Sequence, residues 1–216
     1  MNEKRKRLPR ERLDEGAAVA NAASTLYANI GFMGVDRPLR SVVVTSTVPN
    51  EGKSTIAVEL ARAMASSGKR TLLLECDLRR RSLARLLGVR PTAGWWAVVM
   101  GEAELSRAMT HTGEGNLFLL DAEPGLPSPT DLLDSKRFRA LFDALSRSFA
   151  YVVVDTPPVG MFVDAAVVAA QADATVMVVR EGFAKRKGVV RARGQLEQAG
   201  ANVVGIVMSF CRENPS

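Results

Sequence analysis

The stretch Val42–Ala61, VVVTSTVPNEGKSTIAVELA, decides the reading of this chain. Four residues from Val42 are apolar or β-branched, which favours a buried strand. A helical pattern begins at Ser54. Between them, Gly52, Lys53 and Ser54 complete the end of the phosphate-loop pattern G-x-x-x-x-G-K-[ST]. The first glycine of that pattern would fall at position 47, which is a threonine. In such a loop, backbone N–H groups and a helix N-terminus converge on phosphate oxygens. Gly52 lets the backbone approach, Lys53 supplies a point charge, the Ser54 hydroxyl is a Mg²⁺ ligand and Thr55 is placed for an α-phosphate.

The same grammar repeats outward. RTLLLECD, NLFLLDAEPG, AYVVVDTPP, DATVMVVR and ANVVGIVMSF read as further strands, with helical patterns between them. Strands that are apolar throughout and alternate with helices predict a parallel sheet covered on both faces. The expected fold is α/β, a P-loop NTPase-like parallel sheet flanked by helices, in one domain. At 216 residues, 47% hydrophobic and 24% charged, the composition is that of a globular chain. No apolar run has the length of a membrane helix. Two cysteines make no disulfide framework, so a cytoplasmic location is expected.

The net charge is +6, and residues 1–12 carry six basic and two acidic side chains. The expected organisation is a basic flexible tail over residues 1–15, a P-loop domain over 16–212 and a short tail over 213–216. A basic arm can meet a membrane, a nucleic acid or an acidic partner, or simply be solvated.

Two more strand ends join the loop. LLLECDLRR places Glu75 and Asp77 two apart, on one face of an extended segment. Buried carboxylates need a cation or hydrogen-bond donors. A Mg²⁺–phosphate site meets that need; pairing with Arg79, Arg80 or Arg81 is the plainer alternative. YVVVDTPP delivers Asp155 as a Walker B carboxylate, and two prolines end the strand.

In this order and at similar spacing, TSTVPNEGKST, LLLECDLRRR, PSPTDLL and VVVDTPP resemble the bacterial tyrosine kinases (BY-kinases). The resemblance runs over about residues 21 to 210. In that family the first loop position is commonly not glycine, so Thr47 is no sign of decay. The resemblance implies ATP/ADP and Mg²⁺ as cofactors. It implies Pro49, Asn50, Glu51, Gly52, Lys53, Ser54, Thr55 and Arg79 at the nucleotide, and Ser54, Asp77 and Asp155 at the metal. Lys53, Glu75, Asp77 and Asp155 would be catalytic, with Glu75 or Asp77 as base for a tyrosine hydroxyl. It implies a role in capsular or exopolysaccharide synthesis or export. The partners implied are protein substrates and the cytosolic tail of a membrane adaptor, which would keep the protein peripheral to the inner face of the membrane.

The chain departs from the family pattern at several points. Glu75 stands where aspartate is usual, and Asn50 where the loop has glycine. Arg81 replaces a proline. The assembly pattern E-x-x-R-x-x-R aligns with Asn21, Ser24 and Tyr27, so weak or absent ring assembly is expected. There is no tyrosine cluster; Tyr27 and Tyr151 are the tyrosines, and both are expected to pack. An ATP-dependent switch without autophosphorylation is therefore the alternative function. Nucleic-acid binding is not expected, because partition-type ATPases carry a signature lysine where this chain has Val48. His111 reads as an exposed loop residue, Cys76 as a buried apolar one and Asp164 as a helix cap.

Overall fold

The structure, a computed structural model, describes residues 10–211. Residues 1–9 of the expected basic tail, and residues 213–216, lie outside the described residues. Helix α1 runs Arg10–Met33, so residues 10–15 are helical where a tail was expected. There follow β1 (Ser41–Ser46), α2 (Lys53–Ser66), β2 (Thr71–Glu75) and α3 (Leu83–Leu87). Next come α4 (Trp95–Met100), α5 (Leu105–Ala108), β3 (Met109–His111) and β4 (Leu117–Leu120). The chain continues through α6 (Pro129–Asp134), α7 (Lys136–Ser148), β5 (Tyr151–Asp155) and α8 (Asp164–Ala169). It ends with β6 (Ala174–Arg180), α9 (Arg186–Gln198) and β7 (Val203–Ser209).

Among the described residues the strands form one sheet in the order β3-β4-β2-β5-β1-β6-β7. All neighbours are parallel except β3, which runs antiparallel to β4. The sheet is parallel as expected apart from this edge strand, which corrects the expectation of a loop at His111. Three residues, Met-Thr-His, carry no strand signal of their own. Pairing with Phe118 to Leu120 makes them extended, and the His111 ring meets Phe118 edge-on at 5.1 Å.

Alternation along the strands builds the two faces. Val42 and Val44 of β1 and Leu73 of β2 pack with Ile30 of α1 and Leu60 and Met64 of α2. Val43, Leu72 and Leu74 point the other way, to Phe138, Phe142 and Leu145 of α7 and to Trp95. These side chains are fully buried or nearly so. Removing one to alanine costs about 2–5 kcal/mol in such a core. β1 lies between β5 and β6, so its carboxyl end opens at the centre of the sheet. In open α/β sheets that crevice is where ligands bind.

Candidate active site

The loop between β1 and α2 is held by its own glutamate. Glu51 is buried, and its carboxylate accepts from the N–H groups of Thr47 (2.7 Å), Val48 (2.8 Å) and Arg180 (3.1 Å). The loop is thereby tied to the end of β6. Glu51 was expected at the nucleotide; its side chain instead shapes the loop, leaving only its backbone for a phosphate. Asn50 has φ 66° and Gly52 has φ 87°, the left-handed region. Asparagine tolerates that conformation better than most residues, which explains its replacement of glycine. Pro49 lies in the same turn, and Thr55 is exposed on the first turn of α2.

A second loop locks against the first. Beyond β5, Thr156 donates its hydroxyl to Val44 O (3.0 Å), Thr45 donates to Pro157 O (2.9 Å), and Val159 N–H reaches Ser46 O (2.9 Å). Gly160 comes so close that a Cβ there would lie 2.3 Å from the Thr47 carbonyl oxygen. The double proline and glycine of DTPPVG thus set the floor of the phosphate loop.

The charged centre is compact. Lys53 Nζ lies 2.8 Å from Asp77 Oδ2 and 3.2 Å from Asp155 Oδ1. It also donates to Ser54 Oγ at 3.1 Å, and Ser54 donates to Asp155 Oδ2 at 2.5 Å. Burial by itself would lower the Lys53 pKa, but Asp155 and then Asp77 outweigh it and hold the ammonium above its usual range. Burial pushes the Asp155 carboxyl up, against the pull of Lys53.

Glu75, expected with Asp77 as one of two candidate bases, is engaged by backbone N–H groups. Its Oε1 accepts from Asp77 N–H (3.0 Å), and its Oε2 from Ser82 N–H (2.8 Å) and Leu83 N–H (3.1 Å). Both lone pairs of Oε2 are engaged by the turn that leads into α3. Burial, followed by the Asp155 charge, pushes its pKa up to about 8, while those backbone bonds pull it down. Trp95 packs over this turn and donates its indole N–H to Glu75 O at 3.0 Å. Asp77 is the carboxylate presented to Lys53.

Among the described residues no guanidinium of the arginines after β2 forms an ion pair with Glu75 or Asp77, so that plainer reading fails, although Arg80 N–H donates to Asp77 Oδ1 at 2.9 Å. Arg79, expected at the nucleotide, binds Asp164 at 2.7 Å and lies 4.1 Å over the Phe162 ring. Thr130 donates to the same carboxylate. Asp164 is buried at the start of α8 and serves as this anchor, not as the cap expected. Arg80 donates to Asn50 Oδ1 at 3.0 Å and is the arginine beside the loop. Arg81, in place of the family proline, pairs with buried Asp121 at 2.7 Å. Cys76 is buried as expected, and burial pushes its thiol up.

Sequence reasoning also missed Arg180 and Phe210. The Arg180 guanidinium lies 4.3 Å over the Phe210 ring, and that ring edge lies 3.4 Å from a Cβ built on Gly52. No motif links the ends of β6 and β7 to the loop; only the sheet order does.

Two carboxylates, Asp77 and Asp155, share one ammonium here, a charge deficit that a divalent cation beside Ser54 and Asp155 would balance. Among the described residues no three His, Cys, Asp or Glu side chains form a ready-made metal cage. Mg²⁺ needs none, because it takes one or two protein ligands plus phosphate oxygens and waters. The residues fit Mg²⁺.

A lysine and a serine in the first turn of the helix that follows a strand and a glycine-capped loop, both tied to a strand-end carboxylate, define a P-loop nucleotide site. Comparison agrees: a family model described as ATPase MipZ matches residues 40–186. The tyrosine-protein kinase CpsD of Streptococcus pneumoniae is 36% identical over 187 residues, 86% of this chain and 82% of that protein. The tyrosine-protein kinase YwqD of Bacillus subtilis is 32% identical over 185 residues, 86% of this chain and 78% of that protein. The solved kinase domain of Escherichia coli tyrosine kinase ETK superposes with a TM-score of 0.87 at 28% identity, over 100% of this chain and 85% of that one. The chain belongs to the bacterial tyrosine kinase (BY-kinase) family of P-loop proteins.

Proposed function

We propose that this protein is an ATP- and Mg²⁺-dependent protein-tyrosine kinase acting in capsular or exopolysaccharide synthesis or export. The observation that carries this reading is Lys53 held between Asp77 and Asp155, with Ser54 on Asp155. Lys53 and the loop amides would neutralise the β- and γ-phosphates of ATP. Ser54 and Asp155 would hold Mg²⁺, which when bound supplies charge neutralisation between those phosphates. Asp77 sits across Lys53 from Asp155 and would orient the attacking tyrosine hydroxyl and receive its proton. Glu75 would keep the Asp77 turn in place. Arg180 and Phe210 offer a flat cationic–aromatic platform beside Gly52 for the adenine base.

Work at the inner face of the membrane through the cytosolic tail of an adaptor belongs to the same proposal. Among the described residues no helix is long and apolar enough to cross a membrane. Ring assembly is proposed to be weak, because Asn21, Ser24 and Tyr27 carry no charge; a stable octamer in solution would contradict this. The kinase names of the relatives favour the enzyme over a nucleotide switch.

The test is transfer of γ-labelled phosphate to a tyrosine copolymer, with and without Mg²⁺ and beside Lys53→Met. Label on tyrosine that the variant lacks supports the proposal. Release of phosphate with no protein label points to the switch.

A further inference from the structure

The end of the molecule opposite the phosphate loop carries features that catalysis does not use. At the amino ends of β1 and β5 lies a cleft of about 430 Å³. Its walls include the last turn of α1 and the side chains of Arg40, Lys69, Arg147, Ser148 and Tyr151. Arg70 stands at the same end, stacked on Phe149 at 4.9 Å with its carbonyl accepting from Ala150 N–H. Arg37 is exposed on the turn from α1 into β1. Among the described residues none of Arg37, Arg40, Lys69 and Arg147 is held in an ion pair.

The same turn projects apolar side chains into water. Phe32 is 75% exposed and Val35 77%, with Met33 beside them at 47%. Phe32 and Met33 also line a second cleft of about 370 Å³ against Val204 to Val207 of β7. The α1–β1 turn is therefore an apolar tip, with exposed Asp36 set between Val35 and Arg37 and a cationic cleft on one side. Exposed apolar residues of this size, grouped and rimmed by charge, mark an interaction surface.

We propose that this end docks on an anionic phospholipid bilayer. Phosphate-bearing headgroups enter the cleft between Arg40, Lys69 and Arg147, and Phe32, Met33 and Val35 enter the headgroup layer. Charge complementarity selects this occupant. A second copy on a two-fold axis would bring like charges together, which disfavours association. A bilayer takes cations and apolar side chains at once, because its anionic surface overlies its hydrocarbon. The docking end is the amino end of the parallel strands, so the phosphate loop at their carboxyl ends faces away from the lipid. The surface is built from described residues of the folded domain alone.

The test is flotation of the full-length chain with vesicles of equimolar phosphatidylglycerol and phosphatidylcholine, or of phosphatidylcholine alone. Binding is expected on the anionic vesicles only, and it is expected to be lost in about 0.5 M salt. A triple variant, Arg40→Gln with Lys69→Gln and Arg147→Gln, is expected to bind on the order of 100-fold more weakly, about fivefold for each cation removed. Phe32→Ser with Val35→Ser is expected to weaken binding while leaving ADP affinity unchanged, which also reports that the variant is folded. Wild-type partitioning of the triple variant would place the binding in the N-terminal arm and overturn the proposal. Equal binding to neutral vesicles, or self-association in the ultracentrifuge that the serine variants abolish, would overturn it too.

Discussion

Lys53 Nζ and Asp77 Oδ2 are 2.8 Å apart across the mouth of the phosphate loop. The lysine must exchange this partner, and Asp155, for phosphate oxygens when a nucleotide enters. Two carboxylates, Asp77 and Asp155, are then left facing a polyanion, and a divalent cation becomes necessary. ADP with Mg²⁺ should raise the melting temperature by about 5–10 °C at a hundredfold excess over its Kd. ADP with EDTA should raise it little. Equal shifts in a thermal scan would refute the assignment of Ser54 and Asp155 to the metal.

Glu75 gives the nucleotide-free protein a pH dependence of definite sign. Its folded pKa is raised to about 8 from an ordinary value of 4.5, chiefly by burial. The folded state therefore keeps a proton that the unfolded state loses between those values. Stability should fall as pH rises from about 4.5 to 8, and level off above. Urea unfolding at a series of pH values measures this. Stability that rises across the same window would mean that Glu75 is ionised and well paired.

Gly160 is set against the Thr47 carbonyl with no room for a side chain. Backbone cannot yield as a flexible side chain can. Gly160→Ala should push the two loops apart, at a cost of about 1–3 kcal/mol in stability. ADP affinity should fall at least about tenfold, since a shifted loop forfeits more than 1.4 kcal/mol of phosphate contact. Calorimetric titration decides it; an unchanged Kd would show that the phosphate loop does not depend on this contact.

Phe210 and Arg180 separate the base from the phosphates. Stacking on an aromatic side chain contributes about 1–3 kcal/mol per base. Phe210→Ala should weaken ADP binding about 5- to 100-fold and leave pyrophosphate binding unchanged. A parallel loss for both ligands would place Phe210 in support of the loop and not at the base.

Strands β2, β4 and β5 are displayed by the sequence because each is an apolar run closed by an acidic residue. The strand ends that carry Asp77 and Asp155 could be read for the same reason, and Lys53 from its loop pattern. Features that depend on distant partners were not legible. Thr110 is a strand residue only because Leu119 pairs with it. The break between α6 and α7 falls at Ser135, whose side chain accepts from Phe138 N–H. That cap is visible in the string SKRF once it is sought. Glu75 and Arg79 could not be resolved from spacing. A carboxylate near a phosphate loop can serve chemistry or hold a turn, and the N–H groups of Ser82 and Leu83, which favour the turn for Glu75, are not visible in its spacing. Arg79 needed Asp164, 85 residues away along the chain.

The division of labour between the two carboxylates of LLLECD is the most exposed claim, and one paired measurement tests it. Tyrosine phosphorylation would be followed in a single turnover for Asp77→Asn and Glu75→Gln, with ADP affinity as the check on folding. Asp77→Asn should lose about 10²–10⁴-fold in the transfer rate while still binding nucleotide. Glu75→Gln should keep the rate within about tenfold and lose stability instead, because an amide cannot accept all three backbone N–H groups. Full activity in Asp77→Asn, with the rate lost in a folded Glu75→Gln, would contradict the account and return the base to Glu75.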